Sequence, residues 1–487
     1  HITFIKFKYI NMKTNLLLLT LIVLMISCKS KISSKQETKK QPYNVLFIAI
    51  DDLNDWTGFA GGHTQTLTPN MDKLAQQGVV FDKTYAASSL CGPSRAALLT
   101  GYRPSTTGVY GNGMELRDSP ILKNAPTLPQ WFSNHGYFTT ARGKIFHKPN
   151  GQQADTISWD KWVKEVGNYG KVKKEPGFMA NGIPEGEADD NFDWGPTDAL
   201  FEETSDYLNA KWAADQLQKD YDKPFFLAAG IYRPHLRWNV PQEFFDKFNE
   251  EEMIIPEIKE NDHDDIPSYA AKPSKNYYAA KKYNKQQAAV QAYLASINYA
   301  DACVGVILDA LAKSKYADNT IVVLLGDHGW HLGDKMRYKK YTLWEEACKT
   351  PLIIKVPGLT QPNSRCLSPV NLLDLYPTLS ELAGLPINTE NEGNSLVPLL
   401  KNVNTEWDIP SLTTMGFNRH TVRNKKWRYI NYGDKQEELY NHDLDPMEFT
   451  NLANNPKYQS VKDELSKYIP EVNADPLEKV YNTKRYY

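Results

Sequence analysis

The segment Asn44-Val45-Leu46-Phe47-Ile48-Ala49-Ile50 joins six apolar residues without interruption and ends abruptly at Asp51-Asp52. A continuous apolar run rich in β-branched residues is typical of a strand buried on both faces of a parallel sheet. A second run of this kind, from Asn319 to Leu325, is separated from Asp327-His328 by Gly326 alone. Both runs predict central strands that end in residues able to carry chemistry.

The sequence around these strands alternates between helical and extended patterns over about 300 residues, which predicts an α/β fold with a mainly parallel sheet. Helix signals are a proline or threonine at the start, apolar residues at helical spacing and a glycine stop. The predicted helices are Pro69 to Gln77, Thr127 to Gly136, Gln286 to Lys313 and Val370 to Ala383, and further strands are predicted at 79–81 and 224–229.

A domain boundary is predicted near residue 390, where Gly384-Leu385-Pro386 and the Asn-rich segment 388–394 break the alternation. Beyond it, 427–430 and 438–440 read as short strands around a turn, so residues 391–487 are expected to form a small C-terminal subdomain with an antiparallel sheet. Residues 43–390 form the predicted catalytic domain. Its stretch from about 149 to 215 has little periodicity and is expected to form long loops on the catalytic face.

Composition excludes several classes of protein. The chain has 487 residues, 41% hydrophobic and 23% charged, which indicates a globular protein. A formal net charge of −2 argues against a nucleic-acid protein that works by overall basicity, and we expect no nucleic-acid partner. Five cysteines without a CxxC pair exclude a disulfide-built scaffold and a zinc ribbon.

The N-terminus carries an export signal. Met12-Lys13 precedes an apolar run from Leu16 to Ile26 that is too short to span a bilayer comfortably, and Ser27-Cys28 follows, which resembles the lipobox of bacterial lipoproteins. We therefore expect residues 1–28 to be a leader, Cys28 to be lipidated and residues 29–42 to form a flexible tether. The protein would be exported and held at the membrane by its lipid alone, in the periplasm or at the cell surface; ordinary secretion is the alternative.

The two strand ends supply a candidate metal site. Ligands of parallel sheets bind at the carboxyl ends of the strands, so Asp51-Asp52 and Asp327-His328 are expected to converge. Three carboxylates suit a hard divalent cation such as Ca²⁺, with the imidazole as a mixed ligand. Either pair alone is more often a turn or a helix cap.

Cys91 lies where a helix is expected to begin, because Gly92-Pro93 cannot lie inside a helix and Gly101 provides the stop. The helix dipole would make this end suitable for an anion. The alternative is that Cys91 is a small buried apolar residue.

These residues carry a family resemblance. Cys91-Gly92-Pro93-Ser94-Arg95, continued to Thr100-Gly101-Tyr102-Arg103-Pro104, resembles the signature of type I sulfatases, and 136–147 resembles the second signature of that family. Further motifs, between 43 and 455, are most similar to the iduronate-2-sulfatase branch; they are Asp51-Asp52-Leu53-Asn54, Phe146-His147-Lys148-Pro149, Arg233-Pro234-His235 and Gly326 to Gly333. The resemblance implies an alkaline-phosphatase-like sandwich and a cysteine oxidised to formylglycine by a formylglycine-generating enzyme.

The resemblance also assigns roles. Asp51, Asp52, Asp327 and His328 would hold Ca²⁺ together with the modified Cys91, whose hydrated aldehyde would attack sulfur and then collapse to release sulfate. The remaining roles are support of the metal and formylglycine by Arg95, contact with formylglycine and sulfate by Lys144 and His147, protonation of the leaving oxygen by His235, and sulfate binding by Lys340, or by Lys339 if the register differs by one.

The expected activity is hydrolysis of sulfate esters in a sulfated, uronic-acid-containing polysaccharide or its oligosaccharides, of ulvan or glycosaminoglycan type. A phosphonate or phosphate ester hydrolase of the same superfamily is one alternative, and a non-catalytic glycan-binding lipoprotein with an unmodified Cys91 is another. The motif departs from iduronate-type members at Asp334-Lys335, which bears on the substrate subsite more than on the chemistry.

Other residues receive weaker expectations. Aromatic side chains that could stack on sugar rings are Trp159, Trp162, Trp194, Tyr232 and Trp238. Cys303 is expected in the core, whereas Cys348 and Cys366 flank a predicted strand and could pair in an oxidising compartment.

Overall fold

β1 (Asn44–Ile50) is the central strand of the protein in a computed structural model that describes residues 41–148, 150 and 152–477. Every residue of β1 is buried. It pairs in parallel with β6 (Phe225–Ile231) on one side and with β8 (Thr320–Gly326) on the other. The prediction of central parallel strands at 44–50 and 319–325 is therefore confirmed.

The large sheet has eight strands and is mainly parallel, as predicted. The remaining strands of all the sheets in the described chain are, in chain order, β2 (Val79–Tyr85), β3 (Phe138–Arg142), β4 (Lys161–Val163), β5 (Trp194–Thr197), β7 (Trp238–Pro241), β9 (His331–Leu332), β10 (Tyr338–Lys339), β11 (Leu352–Lys355), β12 (Ser364–Asn371), β13 (Ser411–Thr414), β14 (His420–Arg423), β15 (Trp427–Asn431) and β16 (Glu437–Asn441). The order across the large sheet is β12-β2-β11-β8-β1-β6-β3-β4. β11 runs antiparallel to both of its neighbours, and the remaining pairs in the described part of the sheet are parallel.

Helices occupy most connections between these strands. The α-helices span Pro69–Ala75, Cys91–Thr100, Pro104–Thr107, Leu128–Asn134, Ser205–Gln216, Gln242–Phe245, Lys275–Lys282, Gln286–Ala312, Glu345–Cys348, Leu375–Leu382, Val397–Lys401 and Gln459–Ser466. Short 3₁₀ turns span Leu116–Asp118, Gln152–Ala154, Thr156–Ser158, Phe201–Glu203, Glu250–Glu252, Ala317–Asn319, Asp334–Met336, Leu372–Asp374 and Pro456–Tyr458.

The large sheet separates two apolar layers. Side chains of a strand alternate between its faces, so Leu46, Ile48 and Ile50 of β1 belong to one core cluster, and Val45, Phe47 and Ala49 belong to the other. The first cluster includes the helix Gln286–Ala312, which is long and apolar enough by length and composition to cross a membrane but is mostly buried in this core. Burial on both faces explains why the central strands lack polar residues.

Two sequence predictions about elements are wrong in part. The stretch 149–215, predicted to form loops, contains the helix Ser205–Gln216. The helix predicted from Val370 begins at Leu375, because Val370 and Asn371 continue β12 beside β2.

The predicted antiparallel C-terminal sheet is present, with strand order β13-β14-β15-β16. The described chain from Pro42 onward forms one compact unit, and the boundary near residue 390 stays a prediction. The predicted leader 1–28 with its lipidated Cys28, and nearly all of the tether 29–42, lie outside the described residues.

Candidate active site

The carboxyl ends of β1 and β8 bring the two predicted acidic pairs together. The Asp52 backbone N–H donates to Oδ1 of Asp327 at 3.0 Å, and Asp51, Asp52, Asp327 and His328 are all fully buried. Neighbouring parallel strands that end at the same edge of a sheet produce this convergence. The sequence reasoning therefore located the centre of the site correctly, while the assigned roles remain predictions.

Cys91 is the first residue of the helix Cys91–Thr100 and points at this centre. Its Sγ lies 2.8 Å from Nζ of Lys340, 3.3 Å from Nε2 of His328, 3.7 Å from Oδ1 of Asp52 and 4.0 Å from Nζ of Lys144. The thiol is fully buried. Burial raises its pKa, but the two lysines bring the pKa of Cys91 below its ordinary value. Cys91 thus lies among cations, in surroundings suited to an anion.

Arg95 lies one turn further along the same helix and fixes the carboxylates. Its Nε donates to Asp327 Oδ2 at 2.8 Å, and its Nη2 donates to Asp51 Oδ1 at 3.1 Å. Its Nη1 donates to the carbonyl oxygens of Lys144 and Ile145 at 2.6 and 2.9 Å. Arg95 therefore ties the ends of β1 and β8 to the turn after β3, which carries Lys144.

The donor set fits a divalent cation. One ligand atom from each of Asp51, Asp52, Cys91 and His328 lies within 4.8 Å of the others. Oδ2 of Asp52 is buried and accepts no hydrogen bond from the described residues. Burial raises the pKa of Asp52 to about 8, with Cys91 and Asp51 acting in the same direction against Lys340. Crowded carboxylates of this kind favour a cation with oxygen ligands.

Asp327, also predicted as a ligand, stands beside this group of four. Its Oδ1 accepts from the Asp52 backbone and its Oδ2 from Arg95. Burial lowers the pKa of His328, but the negative charge of Asp327 and the interactions with Cys91 together raise it to about 9. In the structure, Asp327 is thus part of the charge balance of the site and retains lone pairs for a cation.

Lys144 and Lys340 are the predicted sulfate-binding lysines, and each forms an ion pair at the centre. Lys144 pairs with Asp51 and Lys340 with Asp52. Burial raises the pKa of Asp51, but Lys144, His235 and Arg95 hold it well below its usual range. Of the two candidate lysines, Lys340 is the one beside Cys91. Nζ of Lys339 contacts Oδ2 of Asp189 at 2.5 Å, away from Cys91.

The two predicted catalytic histidines face the same cleft. Nδ1 of His235 is bonded to the Leu236 carbonyl oxygen at 2.6 Å, and its Nε2 lies 3.9 Å from Asp51 and 3.8 Å from Asp52. Burial and Lys144 lower the pKa of His147 to about 2, and its buried Nδ1 has no partner among the described residues. His147 is therefore a neutral imidazole in this structure.

The cleft above the centre has a volume of about 1290 Å³. Of the five aromatic residues suggested for sugar stacking, Tyr232 lines it. The suggestion is wrong for Trp159, Trp194 and Trp238, which are buried in the core, and Trp162 packs against the core beside them. Their rings fill the layers around the sheet. Trp330 lines the cleft and was missed, because nothing in its local pattern separates it from the core tryptophans.

Sequence reasoning also missed two residues that position the site. Asp206 accepts the backbone N–H groups of Tyr232 and Arg233 at 2.7 and 3.0 Å and so holds the segment that carries His235. The pair Thr204-Ser205 before an acidic residue is a helix-start signal that could have indicated the surrounding helix. The hydroxyl of Tyr293 donates to the Asp52 carbonyl at 2.7 Å.

Asp52 itself has a φ of 59°, a left-handed conformation that is uncommon for an aspartate. The Tyr293 hydroxyl that binds its carbonyl oxygen also accepts the Asn54 backbone N–H at 3.0 Å. The long core helix therefore supports the turn in which the chain leaves β1. Conformations of this kind cluster at functional sites and persist where the surroundings hold them.

The departure at Asp334-Lys335 lies away from the cleft lining. Asp334 binds His331, and Lys335 is buried with Nζ 3.1 Å from Oδ1 of Asp262. The departure therefore affects internal packing.

The three described cysteines outside the site form no disulfide. Cys303, Cys348 and Cys366 are buried and free, so the suggested pairing of Cys348 with Cys366 is absent from the described structure. Cys303 lies in the core, as expected.

Comparison with known proteins is consistent with this geometry. Residues 43–385 match the model of the sulfatase family, and residues 326–475 match that of the C-terminal region of N-sulphoglucosamine sulphohydrolase. A sulfatase from Formosa agariphila is 37% identical over 481 residues, which cover 95% of this chain and 93% of its own. Iduronate 2-sulfatase from Homo sapiens is 30% identical over 391 residues, covering 71% of this chain and 69% of its own.

Among solved structures, that of a 2-O GAG sulfatase superimposes with a TM-score of 0.68 at 26% identity, covering 90% of this chain and 96% of the other. The alkaline-phosphatase-like sandwich expected from the sequence is thus the observed fold, with its large, mostly parallel sheet and small antiparallel sheet.

Proposed function

The chain belongs to the sulfatase family and is a sulfuric ester hydrolase, and we propose that it acts on a sulfated, uronic-acid-containing polysaccharide or its oligosaccharides, of ulvan or glycosaminoglycan type. The main observation that supports hydrolysis in this cleft is the position of Cys91. It is buried at the start of a helix, between two lysines and beside two aspartates. A relative described as an iduronate 2-sulfatase and a fold relative described as a 2-O GAG sulfatase support a substrate that contains uronic acid.

We propose that Cys91 is oxidised to formylglycine by a formylglycine-generating enzyme. One hydroxyl of the hydrated aldehyde would attack sulfur and displace the sugar alcohol. Loss of the proton of the other hydroxyl would then reform the aldehyde as its C–O bond to the sulfate group breaks, which releases sulfate. Burial of Cys91 and its position among Lys144, Lys340 and His328 support this assignment, because these groups surround the atom that would react.

We propose that Asp51, Asp52, Asp327 and His328 hold Ca²⁺ beside residue 91. The ion would offset negative charge on the nucleophile and on the sulfate. The unpartnered Oδ2 of Asp52 and the raised pKa of that carboxyl support a cation here. Arg95 keeps Asp51 and Asp327 in place through its two carboxylate contacts.

The other side chains of the site would bind the sulfate and transfer protons. Lys144 and Lys340 attract and orient the sulfate oxygens through charge. His235 donates from Nδ1 to the Leu236 carbonyl, so protonation of the leaving oxygen from Nε2 requires the doubly protonated imidazolium, a form that the nearby Asp51 favours. His147, which lines the cleft, would accept the proton whose loss releases sulfate.

Sulfate release tests the activity. The protein, coexpressed with a formylglycine-generating enzyme, is expected to release sulfate from an aryl sulfate and from defined 2-O-sulfated uronic-acid oligosaccharides. Matched aryl phosphates and phosphonates should be hydrolysed much more slowly, and dominant phosphate release would support the phosphonate or phosphate hydrolase instead.

Peptide mass spectrometry tests the nucleophile. Cys91→Ala is expected to abolish turnover and leave the melting temperature nearly unchanged, whereas Cys366→Ala, at another buried free cysteine, is expected to retain activity. An unmodified thiol at Cys91 in active protein contradicts the mechanism, and an unmodified thiol in inactive protein that still binds the glycan would favour the non-catalytic lipoprotein.

Elemental analysis tests the metal. Purified protein is expected to hold about one Ca²⁺ per chain, lost in Asp52→Asn, whose substitution removes a carboxylate from the centre. A chain that holds no Ca²⁺ while fully active would refute this part of the proposal.

We also propose that the protein is exported and anchored by a lipid on Cys28. Radiolabelled palmitate added to a bacterial host should label the full-length chain in the membrane fraction, and Cys28→Ala should lose the label. Label-free protein in the culture medium would indicate ordinary secretion.

A further inference from the structure

One wall of the cleft combines two segments, Ala270–Lys275 and Met336–Lys340, and is named the basic wall here. The Ser274 backbone N–H donates to the Met336 carbonyl at 3.0 Å. Nη2 of Arg337 donates to the carbonyl oxygen of Ala270 at 3.1 Å. These bonds hold the two segments side by side, so their side chains face the cleft as one surface.

The described residues that line the cleft carry more cations than carboxylates. Seven are cationic and two are acidic: Lys144, Lys148, Lys272, Lys275, Arg337, Lys339 and Lys340 against Asp189 and Asp190. Lys144 and Lys340 pair with the central aspartates, and Lys339 pairs with Asp189. Three cations of the basic wall, Lys272, Lys275 and Arg337, therefore take no part in these ion pairs.

Arg337 stands out on this wall because its charge has no acid partner among the described residues. Its side chain donates to the Ala270 carbonyl, and its Nε is buried without a hydrogen-bond partner in the described chain. By contrast, the buried Arg95 and Arg428 each contact two carboxylates. Burial lowers the pKa of Arg337, which is the expected cost of removing a guanidinium from water without a counter-charge.

A partly buried guanidinium that lines the cleft and has no carboxylate partner among the described residues suits the paired oxygens of a carboxylate or sulfate. The backbone N–H of Lys272 also reaches the Ala270 carbonyl at 2.7 Å, which puts the exposed Lys272 beside Arg337 on the wall. A cleft of about 1290 Å³ is also larger than the roughly 300–1,000 Å³ of ordinary small-ligand pockets, so it has room beyond the sugar that loses its sulfate.

We propose that Arg337 forms a subsite for a second anionic group of the substrate, a carboxylate or a further sulfate ester, distinct from the sulfate that is hydrolysed. This rests on the proposed function of the cleft as a sulfated-glycan site. Arg337 is thereby a specificity-determining residue, and Lys272 adds charge at the open side of the same subsite.

The test compares substrates that differ only in the second group. They are an aryl sulfate, a monosulfated disaccharide with a uronate carboxylate, its carboxyl-reduced form, and the carboxyl-reduced form with a second sulfate. Arg337→Gln is expected to lower kcat/KM by about 10- to 100-fold more for the substrates with a second anionic group than for the aryl sulfate, mainly through KM. Loss on the carboxylate or on the disulfated substrate identifies which anion binds.

Arg237→Gln is the matched control. Arg237 is an exposed arginine with one bond to the Asp190 carbonyl at 3.2 Å and lies outside the cleft lining. Its substitution should leave the ratio of disaccharide to aryl sulfate turnover unchanged. An equal loss on all four substrates with Arg337→Gln, or no loss on either substrate that has a second anion, overturns the proposal.

Binding separates this proposal from the proposed function. Calorimetry of the same disaccharides with Cys91→Ala, with and without Arg337→Gln, reports the subsite without turnover. Weaker binding of the anionic disaccharides in the double variant supports the subsite even if the wild-type protein releases no sulfate, an outcome that would refute only the proposed function. Equal binding in both variants overturns the subsite.

Discussion

Arg428 of β15 is expected to be among the most sensitive positions for stability, because it joins the C-terminal sheet to the rest of the chain through a fully buried charge. Its Nη2 pairs with Glu345, and its Nε lies 2.6 Å from Oε1 of Glu448. Its Nη1 donates to the Leu343 carbonyl at 3.1 Å and to Thr421 Oγ1 at 3.0 Å. One guanidinium therefore serves two carboxylates and two further acceptors.

Arg428→Met keeps most of the apolar volume and removes the charge. Breaking a buried ion pair by deleting one partner costs about 3–5 kcal/mol, since the remaining carboxylates stay buried. We therefore expect the free energy of unfolding to fall by about 3–5 kcal/mol at pH 7. The matched control is Arg365→Met, whose side chain is 47% exposed and pairs with Asp82, and an exposed pair of this kind is worth about 0–1 kcal/mol.

The dependence on pH provides a second check. Burial raises the pKa values of Glu345 and Glu448, but their cationic neighbours, Arg428 among them, bring both below the ordinary range. A carboxyl whose pKa is lower in the folded state stabilises above its unfolded pKa of about 4.3 and loses that contribution as the pH falls through the folded pKa. The difference between wild type and Arg428→Met should therefore be full at pH 7 and shrink below about pH 4.

Urea unfolding followed by circular dichroism at pH 7 and pH 3 measures both effects. A loss at pH 7 no larger than that of Arg365→Met would refute the reasoning about burial. A difference that persists unchanged at pH 3 would refute the reasoning about the carboxylates.

Three further outcomes follow from buried groups elsewhere. Asp206→Asn, which loses one of two acceptors for backbone N–H groups, should lower kcat by up to about 100-fold through the Tyr232 segment, and unchanged kcat would contradict its positioning role. Burial lowers the pKa of His420 to about 4, so the free energy of unfolding of the native protein falls by up to about 3 kcal/mol as the pH falls from 6.5 to 4. His420→Gln should therefore be less sensitive to acid than the native protein. Identical melting curves of both proteins across that pH range would contradict this expectation. Gly329→Ala would put a Cβ 2.0 Å from the Glu346 carbonyl oxygen and should lower stability by at least about 1–3 kcal/mol, which an unaltered melting temperature would disprove.

The parts of the fold that are predictable from sequence depend on local signals. β1 and β8 are recognisable because strands covered on both faces need apolar residues throughout. The Cys91 helix is recognisable because Pro93 and Gly101 restrict where it begins and ends, and Gly101 has a φ of 79° at that end. Placement of the acidic pairs follows from strand order, so their convergence at one edge could be predicted once the sheet was parallel.

The parts that were missed depend on contacts distant in sequence. The helix Ser205–Gln216 is covered by the long core helix on one side and by the sheet on another. Its sequence has no strong apolar stripe, so its apolar residues do not show a clear helical periodicity. Tyr293 acts on Asp52 across 241 positions of sequence. No local sequence pattern indicates such a contact. The same is true of Arg337, whose side chain donates to the distant Ala270 carbonyl and has no carboxylate partner among the described residues.

Motif spacing alone does not show whether Lys339 or Lys340 lies beside Cys91, because the backbone conformation determines this. Lys339 and Tyr341 have φ values of 76° and 71°, so left-handed residues flank Lys340 on both sides. The chain therefore does not continue with simple strand alternation after β10. Nζ of Lys340 reaches Cys91 Sγ at 2.8 Å, while Lys339 turns to Asp189 and Asn191. Two adjacent identical side chains thus make different contacts, one with Cys91 and one in the cleft wall, because of the backbone that carries them.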